Sequence, residues 1–95
     1  MFFLIPGKLY RAKLKLPFRN LVSNAYGFTS ESGDLACGEI ILYLGVDERP
    51  GIFGGRPTRR HMFLRGSTGR VHLFFNGMYD DVTVRPDKYL EACLP

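Results

Sequence analysis

The close spacing of turn signals in the last third of the chain most constrains its fold. The segments 66–69 and 76–77 read Gly-Ser-Thr-Gly and Asn-Gly, and both are strong turn signals. They separate short apolar runs at 61–65, 70–75 and 78–85, which we predict to be strands. One turn of 3₁₀-helix is predicted at 86–89, because proline fits a first helical position. Residues 90–94 are predicted to close the sheet.

The earlier part of the chain also indicates strands. Residues 8–18 alternate between apolar and basic side chains, and a period of two predicts a half-buried strand. The nearly continuous apolar run at 38–45 predicts a central strand buried on both faces. Residues 19–37 and 47–58 are predicted to be long loops, the first irregular with a hairpin-like course left open. The apolar residues 1–6 are read as an opening strand or as a flap over the core.

The 95 residues fit one domain, 1–95, with no long amphipathic helix. Cys37 and Cys93 are far apart and form no C-x-x-C motif, so we interpret them as two buried, unbonded thiols of a reducing compartment. The apolar start is too short for a signal sequence or a membrane span. A cytoplasmic location is therefore expected.

Charge is segregated along the chain, whose net charge is +4. Residues 8–19 and 56–72 carry five Lys or Arg side chains each and no acid, whereas the acids fall in 31–48 and 80–91. Such segregation favours an anionic partner, either nucleic acid or an acidic protein surface. The alternative is a solvated surface whose charges cancel once the chain is folded.

Two basic regions are candidates for binding that partner. On the first predicted strand, the outward side chains of Arg11, Lys13 and Lys15 would form a ladder with steps of about 7 Å, similar to the phosphate spacing of a nucleic acid. The second region combines a loop aromatic with arginines of the loop and the following hairpin, a pairing that suits base stacking or an apolar pocket. Its members are Phe53, Arg56, Arg59, Arg60, Arg65 and Arg70.

The order of elements resembles the Src-homology-3-like barrel. Leu9-Tyr10 lies on the first strand, Gly38-Glu39-Ile40 follows the first long loop, and the segment Pro86-Asp87-Lys88-Tyr89-Leu90 is similar to the P-x-x-Y turn before the final strand. The resemblance implies an all-β, partly open barrel of five or six strands. Peptide-binding members use a tryptophan that this chain lacks, so proline-ligand binding is not carried over. The chain also resembles the small barrels of bacteriophage early proteins, which implies a regulatory role in a host cytoplasm.

The sequence gives only weak indications of a metal site or a catalytic site. Cys37, His61, His72 and Cys93 have the residue types of a zinc site but no short ligand spacing, so surface histidines and core thiols are the favoured interpretation. The adjacent Asp80 and Asp81 would point to opposite faces of a strand and form no catalytic pair. We therefore predict a non-catalytic binding module without metal, cofactor or membrane contact, which docks on an acidic protein surface. Direct nucleic-acid binding is the first alternative and a small hydrolase the second; the oligomeric state stays open.

Overall fold

The computed structural model describes residues 3–24, 27–49, 55, 57–74 and 76–93. Within these ranges seven strands form one antiparallel sheet, and two short helices lie between the sixth and seventh strands. The strands are β1 (Leu9–Ala12), β2 (Leu16–Asn24), β3 (Gly27–Leu35), β4 (Ile40–Arg49), β5 (Thr58–Arg65), β6 (Val71–Phe74) and β7 (Leu90–Ala92). The helices are α1 (Tyr79–Val84) and α2 (Pro86–Tyr89), preceded by a 3₁₀ turn at Asn76–Met78. The predicted all-β class is confirmed.

The sheet is open but must be strongly curved. Its order is β3-β2-β6-β5-β4-β1-β7, so in the described residues β3 and β7 are the edges and do not pair. Only three residues connect β1 to β2, although four strand intervals separate them. The chain from Ala12 to Leu16 can reach about 14 Å, whereas four intervals of a flat sheet span about 19 Å. The sheet therefore bends until β1 and β2 come close.

The concave side of this bend holds the core. All seven strands contribute to one buried cluster, in which Leu16 and Leu35 from one side of the sheet meet Tyr10 and Leu90 from the other. Aromatic rings fill its centre, with Phe63 lying 4.6 Å from Phe74 and 6.0 Å from Phe18 between ring centroids. We call this side the core face and the opposite, convex side the outer face.

The carboxylate of Glu39 holds one end of the sheet, where the connections between strands lie. Glu39 precedes β4 and accepts hydrogen bonds from both Arg65 Nε (2.8 Å) and Arg65 Nη2 (2.9 Å) at the end of β5. It also accepts from the backbone N–H of Ala36 at 2.6 Å and from the hydroxyl of Ser67 at 2.9 Å. The Arg65 guanidinium lies 5.1 Å from the ring centroid of Phe18. Arg65, a predicted partner-binding residue, is thus part of the scaffold.

Most of the segment 19–37, predicted to be a long irregular loop with a hairpin-like course left open, is a hairpin. β2 and β3 pair in continuous register from Leu16 opposite Leu35 to Asn24 opposite Gly27. Backbone hydrogen bonds form this ladder without the apolar alternation that would have marked two strands in the sequence. Gly33 lies opposite Phe18, and a Cβ atom at Gly33 would come within 2.9 Å of the Phe18 ring. The glycine therefore makes room for a core side chain.

The predicted strand at 78–85 is also wrong, because residues 79–84 form α1. Val82 is fully buried, and Asp80 and Asp81 occupy the first turn, where carboxylates interact favourably with the helix dipole. This packing outweighs the strand preference of Val82, Thr83 and Val84. No helix in the described ranges exceeds two turns or is long and apolar enough to cross a membrane.

The turn predicted at 86–89 is present as α2, and it joins the helices to the last strand. Pro86 stands in the first turn of α2, and Leu90 begins β7, which pairs with β1. The hydroxyl of Tyr89 donates a hydrogen bond to the carboxylate of Asp81 in α1. The Lys88 ammonium lies 3.5 Å from the same carboxylate. The predicted helical turn is therefore correct in position and is held by α1.

The central strand β4 is buried on one face, not on both. Ile41 and Tyr43 lie in the core, whereas Ile40 is exposed and Leu42 is half-buried on the outer face. A β-bulge interrupts the pairing with β5 between Tyr43 and Gly45. Gly45 has a φ of +115°, a backbone conformation that side chains disfavour, so glycine permits the bulge. The bulge leaves Val46 opposite His61, on the core face.

The two faces of β4 should differ in their sensitivity to truncation. Replacing Ile41 by Ala removes a fully buried side chain and should lower the free energy of unfolding by about 2–5 kcal/mol. Replacing Leu42 by Ala on the outer face should cost clearly less, about 1 kcal/mol. Denaturant titration of both variants measures the difference. Equal losses would show that the outer face is as tightly packed as the core.

The Glu39 carboxylate should make folding sensitive to acid. Hydrogen bonding from Arg65, assisted by Ala36 and Ser67, lowers the pKa of Glu39 from 4.5 to about 2. Because the folded-state pKa is below the unfolded value, the stabilisation is present above pH 4.5 and is lost as the pH falls towards 2. Replacing Glu39 by Gln should lower the free energy of unfolding by about 1–3 kcal/mol at pH 7 and weaken its decline in acid.

The matched control for this change is Glu91→Gln, which removes the charge of an exposed pair with Arg11. Urea titrations of the wild-type protein and both variants at pH 7, 4.5 and 2.5 give the comparison. A Glu39→Gln variant no less stable than Glu91→Gln would contradict the structural role of Glu39.

Candidate functional site

A pocket opens at one end of the core face, where the first residues of the described chain meet β4, β5 and α1. Its volume is about 200 Å³, room for one amino-acid side chain or a small ring. Most of its wall is apolar or aromatic, and its polar side chains are two tyrosines, a histidine and a threonine. The lining residues are Phe3, Leu4, Tyr43, Val46, His61, Tyr79 and Thr83.

Backbone contacts hold the first residues against this pocket. The hydroxyl of Tyr10, a buried residue, accepts a hydrogen bond from the N–H of Ile5 at 2.8 Å and donates to the carbonyl of Phe3 at 3.1 Å. Leu4 packs on the core, while Phe3 remains 64% exposed. Residues 3–5 belong to no strand, which favours the predicted flap over the predicted opening strand. Residues 1 and 2 lie outside the described ranges.

A hydrogen-bond chain of fixed direction lines the pocket. The hydroxyl of Thr83 donates its single hydrogen to the carbonyl oxygen of Tyr79 at 2.7 Å, so Thr83 Oγ1 accepts from His61 Nε2–H at 2.9 Å. The neutral ring then presents an unprotonated Nδ1, which accepts from the Tyr43 hydroxyl at 2.7 Å. The chain ends at the backbone carbonyl of Tyr79 and fixes the orientation and the tautomer of the imidazole ring.

Burial keeps the pocket groups in their neutral forms. It is the main cause that lowers the pKa of His61, and it is also the main cause that raises the pKa of Tyr43 to about 12, with smaller contributions from Tyr79 and Tyr10. Near neutral pH the pocket thus offers an uncharged imidazole and a protonated phenol. Such a wall suits an apolar or aromatic group.

Aromatic stacking and one cation complete the site. The Tyr79 ring stacks on the His61 ring, with centroids 4.9 Å apart and planes inclined by 22°. The Glu48 carboxylate and, after it, a hydrogen bond with the Tyr79 side chain raise the pKa of Arg59 above its ordinary value. Arg59 Nε lies 3.0 Å from Glu48 Oε2, and the Arg59 side chain is about half exposed. An exposed guanidinium therefore stands beside an aromatic pocket.

The predicted basic ladder is not regular, because β1 ends at Ala12. Arg11 is on that strand and faces Glu91 at 3.4 Å. Lys13 and Lys15 follow in the corner before β2, where the Lys13 ammonium donates to the carbonyl of Asp87 at 2.7 Å and the Lys15 ammonium lies 3.6 Å from Asp34. Each of the three cations thus has its own acceptor.

The structure brings together only part of the second predicted group, the loop aromatic with the arginines of the loop and hairpin. Arg59 and Arg60 are adjacent in β5 and point to opposite faces, with Arg59 beside the pocket and Arg60 opposite Asp47 on the outer face. Arg65 is engaged by Glu39, and Arg70 is exposed before β6. Phe53 and Arg56 lie outside the described residues. Of this group, the structure brings Arg59 to the pocket.

Burial of histidines and cysteines is the reverse of the prediction. His61 and His72 are buried at 3% and 2% exposure, whereas Cys37 is exposed and Cys93 is half-buried. Both cysteines are free thiols. Across the part of the chain that the structure describes, no three His, Cys, Asp or Glu side chains are grouped as metal ligands would be.

Sequence reasoning missed Phe3, Tyr79 and Thr83 as site residues. Tyr79 and Thr83 are four residues apart, so they share a face of a helix. They would also share a face of the predicted strand, so their spacing alone could not show which element of the fold they pack against. In β5, His61 and Arg65 are each two residues from Phe63 and so lie on the same face of the strand. This spacing was the one sequence signal that placed the histidine beside the core.

Comparisons of the chain with protein-family models, with curated proteins and with solved structures gave no match. The site is therefore interpreted from its own geometry.

The two buried histidines should respond in opposite ways to replacement by Phe. His61→Phe breaks two hydrogen bonds and leaves the Tyr43 hydroxyl unpartnered, which should lower the free energy of unfolding by about 1–3 kcal/mol. His72 has two buried ring nitrogens without a hydrogen-bond partner, and its ring lies 4.3 Å from that of Phe18. His72→Phe should therefore leave stability unchanged or raise it.

The pH dependence gives a second test of His72. Burial first, then the charges of Arg65 and Arg70, lower the pKa of His72 below 6.5. The unfolded chain consequently binds a proton more readily than the folded one, and stability falls as the pH drops below 6.5. Denaturant titrations between pH 7 and 5 should show a smaller fall for His72→Phe than for the wild-type protein. Equal destabilisation by the two histidine variants would contradict the assignment.

Proposed function

We propose that this chain is a non-catalytic, regulatory binding module that docks on an acidic surface of a partner protein through the pocket. The observation that carries the proposal is the position of Arg59 in β5, two residues before His61 on the same face, where the Tyr79 ring stacks on the His61 ring. An apolar or aromatic side chain of the partner enters the pocket, and a neighbouring carboxylate pairs with Arg59. Arginine and tyrosine are enriched among residues that dominate binding energy at interfaces.

Charge and exposure support an acidic partner with an apolar anchor. The net charge of +4 attracts an anionic surface, and Phe3 and Val46 add exposed apolar area at the pocket. A nucleic-acid backbone is favoured less, because Arg11, Lys13 and Lys15 do not form an evenly spaced row and each has an acceptor within the chain. The cytoplasm is the compartment we propose, in keeping with two free thiols.

We infer that the curved sheet is a variant of the Src-homology-3-like barrel. Three features support this inference: β4, β5 and β6 form a meander, β7 pairs with β1, and α2 stands directly before β7. The β2–β3 hairpin then occupies the place of the first long loop. This arrangement leaves a pocket beside the first strand without requiring the tryptophan of the peptide-binding members.

Selection of a displayed random-peptide library on the immobilised wild-type chain tests the proposed function. The selected peptides should share an aromatic or branched aliphatic residue next to Asp or Glu. Arg59→Gln should weaken the best peptide at least about tenfold, since it removes the cation beside the pocket. Arg70→Gln is the matched control, because it removes the same charge from an exposed arginine outside the pocket, and its effect should stay below about twofold.

A second pair of variants tests the pocket itself. Val46→Glu places a charge in the pocket wall and should abolish peptide binding, whereas Val84→Glu changes an exposed valine that does not line the pocket. The unfolding free energies of all four variants should remain within about 0.5 kcal/mol of the wild-type value. Selected peptides without acids would contradict the proposal. So would generic oligonucleotides binding with a salt slope that Arg59→Gln reduces by about 0.9.

A further inference from the structure

The hydrogen-bond chain of the pocket uses every hydrogen of its three polar side chains. The Tyr43 hydroxyl donates to His61 Nδ1, and His61 Nε2–H donates to Thr83 Oγ1. The Thr83 hydroxyl donates to the backbone carbonyl of Tyr79. Each of the three groups has one hydrogen in its neutral form, so none is left for a molecule in the pocket. What these groups still offer is oxygen lone pairs.

Thr83 Oγ1 is the acceptor that a molecule in the pocket can reach. Thr83 is exposed and lines the pocket, whereas Tyr43 is buried at 3% exposure. Thr83 Oγ1 accepts one hydrogen bond, from His61, and a hydroxyl oxygen has two lone pairs. It can therefore accept one more hydrogen bond, from a bound group.

The donors of the site lie at its other end. Tyr79 and Thr83 are four residues apart in α1, about 6 Å along its axis. After the Glu48 carboxylate, a hydrogen bond with the Tyr79 side chain raises the pKa of Arg59, so the Tyr79 hydroxyl lies towards Arg59. Among the described residues that line the pocket there is no acidic side chain. The pocket is thus polarised, with an acceptor at the Thr83 end and donors at the Arg59 end.

This polarity distinguishes between the side chains that could fill the pocket. Phenylalanine and the aliphatic residues bring no hydrogen for Thr83 Oγ1. Tyrosine and neutral histidine bring a hydrogen but also an acceptor, which finds no donor at the Thr83 end. Lysine and arginine find no acid in the wall. The indole of tryptophan is an aromatic ring with one N–H donor and no acceptor, so it leaves no polar group unpaired.

We propose that the anchor of the partner protein is a tryptophan, whose indole N–H donates to Thr83 Oγ1 while an acidic neighbour pairs with Arg59. This inference rests on the proposed docking function and narrows its anchor to one residue type. The pocket volume of about 200 Å³ has room for one such side chain, between Phe3 and Leu4 on one side and the stacked rings on the other. Tryptophan is also enriched among the residues that dominate binding energy at interfaces.

NMR titration of the isotope-labelled wild-type protein with indole and with benzothiophene tests the anchor. Benzothiophene has the shape of indole but carries sulfur in place of the N–H. Indole should shift the amide signals of the pocket residues and bind at least about threefold more tightly than benzothiophene. Neither probe carries a carboxylate, so the result does not depend on Arg59.

Two substitutions at one position test the assigned acceptor. Thr83→Val removes the acceptor oxygen, so the two probes should bind this variant within about 1.5-fold of each other. Thr83→Ser is the matched control: it keeps the hydroxyl and should keep the preference for indole. Comparing both probes on the same variant cancels any effect of the substitution on pocket shape. The wild-type comparison needs no substitution, so it decides even for a Thr83→Val variant that does not fold.

Three results would overturn the proposal. They are indole that shifts no pocket signal at about 5 mM, equal binding of the two probes to the wild-type protein, and a preference for indole that Thr83→Val retains. The peptide selection separates this proposal from the docking function. Aliphatic anchors beside acids would support docking on an acidic surface and overturn the tryptophan anchor, whereas tryptophan anchors without acids would do the reverse.

Discussion

The carboxylate of Glu39 joins three parts of the chain that meet at one end of the curved sheet. It binds the backbone of the β3–β4 corner through Ala36, the end of β5 through Arg65 and the β5–β6 turn through Ser67. Hydrogen bonds to a charged acceptor are stronger than those between neutral groups. The contact is only partly exposed, at 22% for the Arg65 side chain and 17% for that of Glu39, so water screens it less than a surface pair. These contacts hold together the end of the sheet where the β3–β4 and β5–β6 connections lie.

Because of this bend, side chains on the two faces of the sheet are buried differently. On the concave face, side chains of all seven strands converge, and His61 can be buried because both of its nitrogens have partners. His72 lies in the same core with two buried ring nitrogens that have no hydrogen-bond partner, an exception among buried polar groups. On the convex face burial is uneven: Leu9 and Val71 are 49% and 37% exposed, whereas Leu73, two residues after Val71 on the same face of β6, is 1% exposed.

The sequence predicted those elements whose signals are local. The turn at 66–69, the strands on both sides of it and the helical turn at 86–89 depend on Gly, Pro and alternation over a few residues. α1 was missed because its β-branched residues favour a strand, and only the burial of Val82 against the rest of the fold reverses that preference. For the β2–β3 hairpin the sequence only left a hairpin-like course open, because backbone pairing alone leaves no apolar period. The pocket combines residues from four separated segments, and no local sequence pattern indicates that these segments come together in the fold.

The arginines of β5 show why charge in a sequence does not identify a binding site. Arg59 and Arg65 are six residues apart on the same face of one strand. Glu39 and its neighbours surround Arg65 at the corner of the sheet, whereas Arg59 has one exposed acid and an aromatic pocket beside it. Arg60, adjacent to Arg59, points to the outer face opposite Asp47. Cations that look alike in the sequence thus have different roles: Arg65 holds a corner of the sheet, whereas Arg59 is the cation that the proposed partner binds.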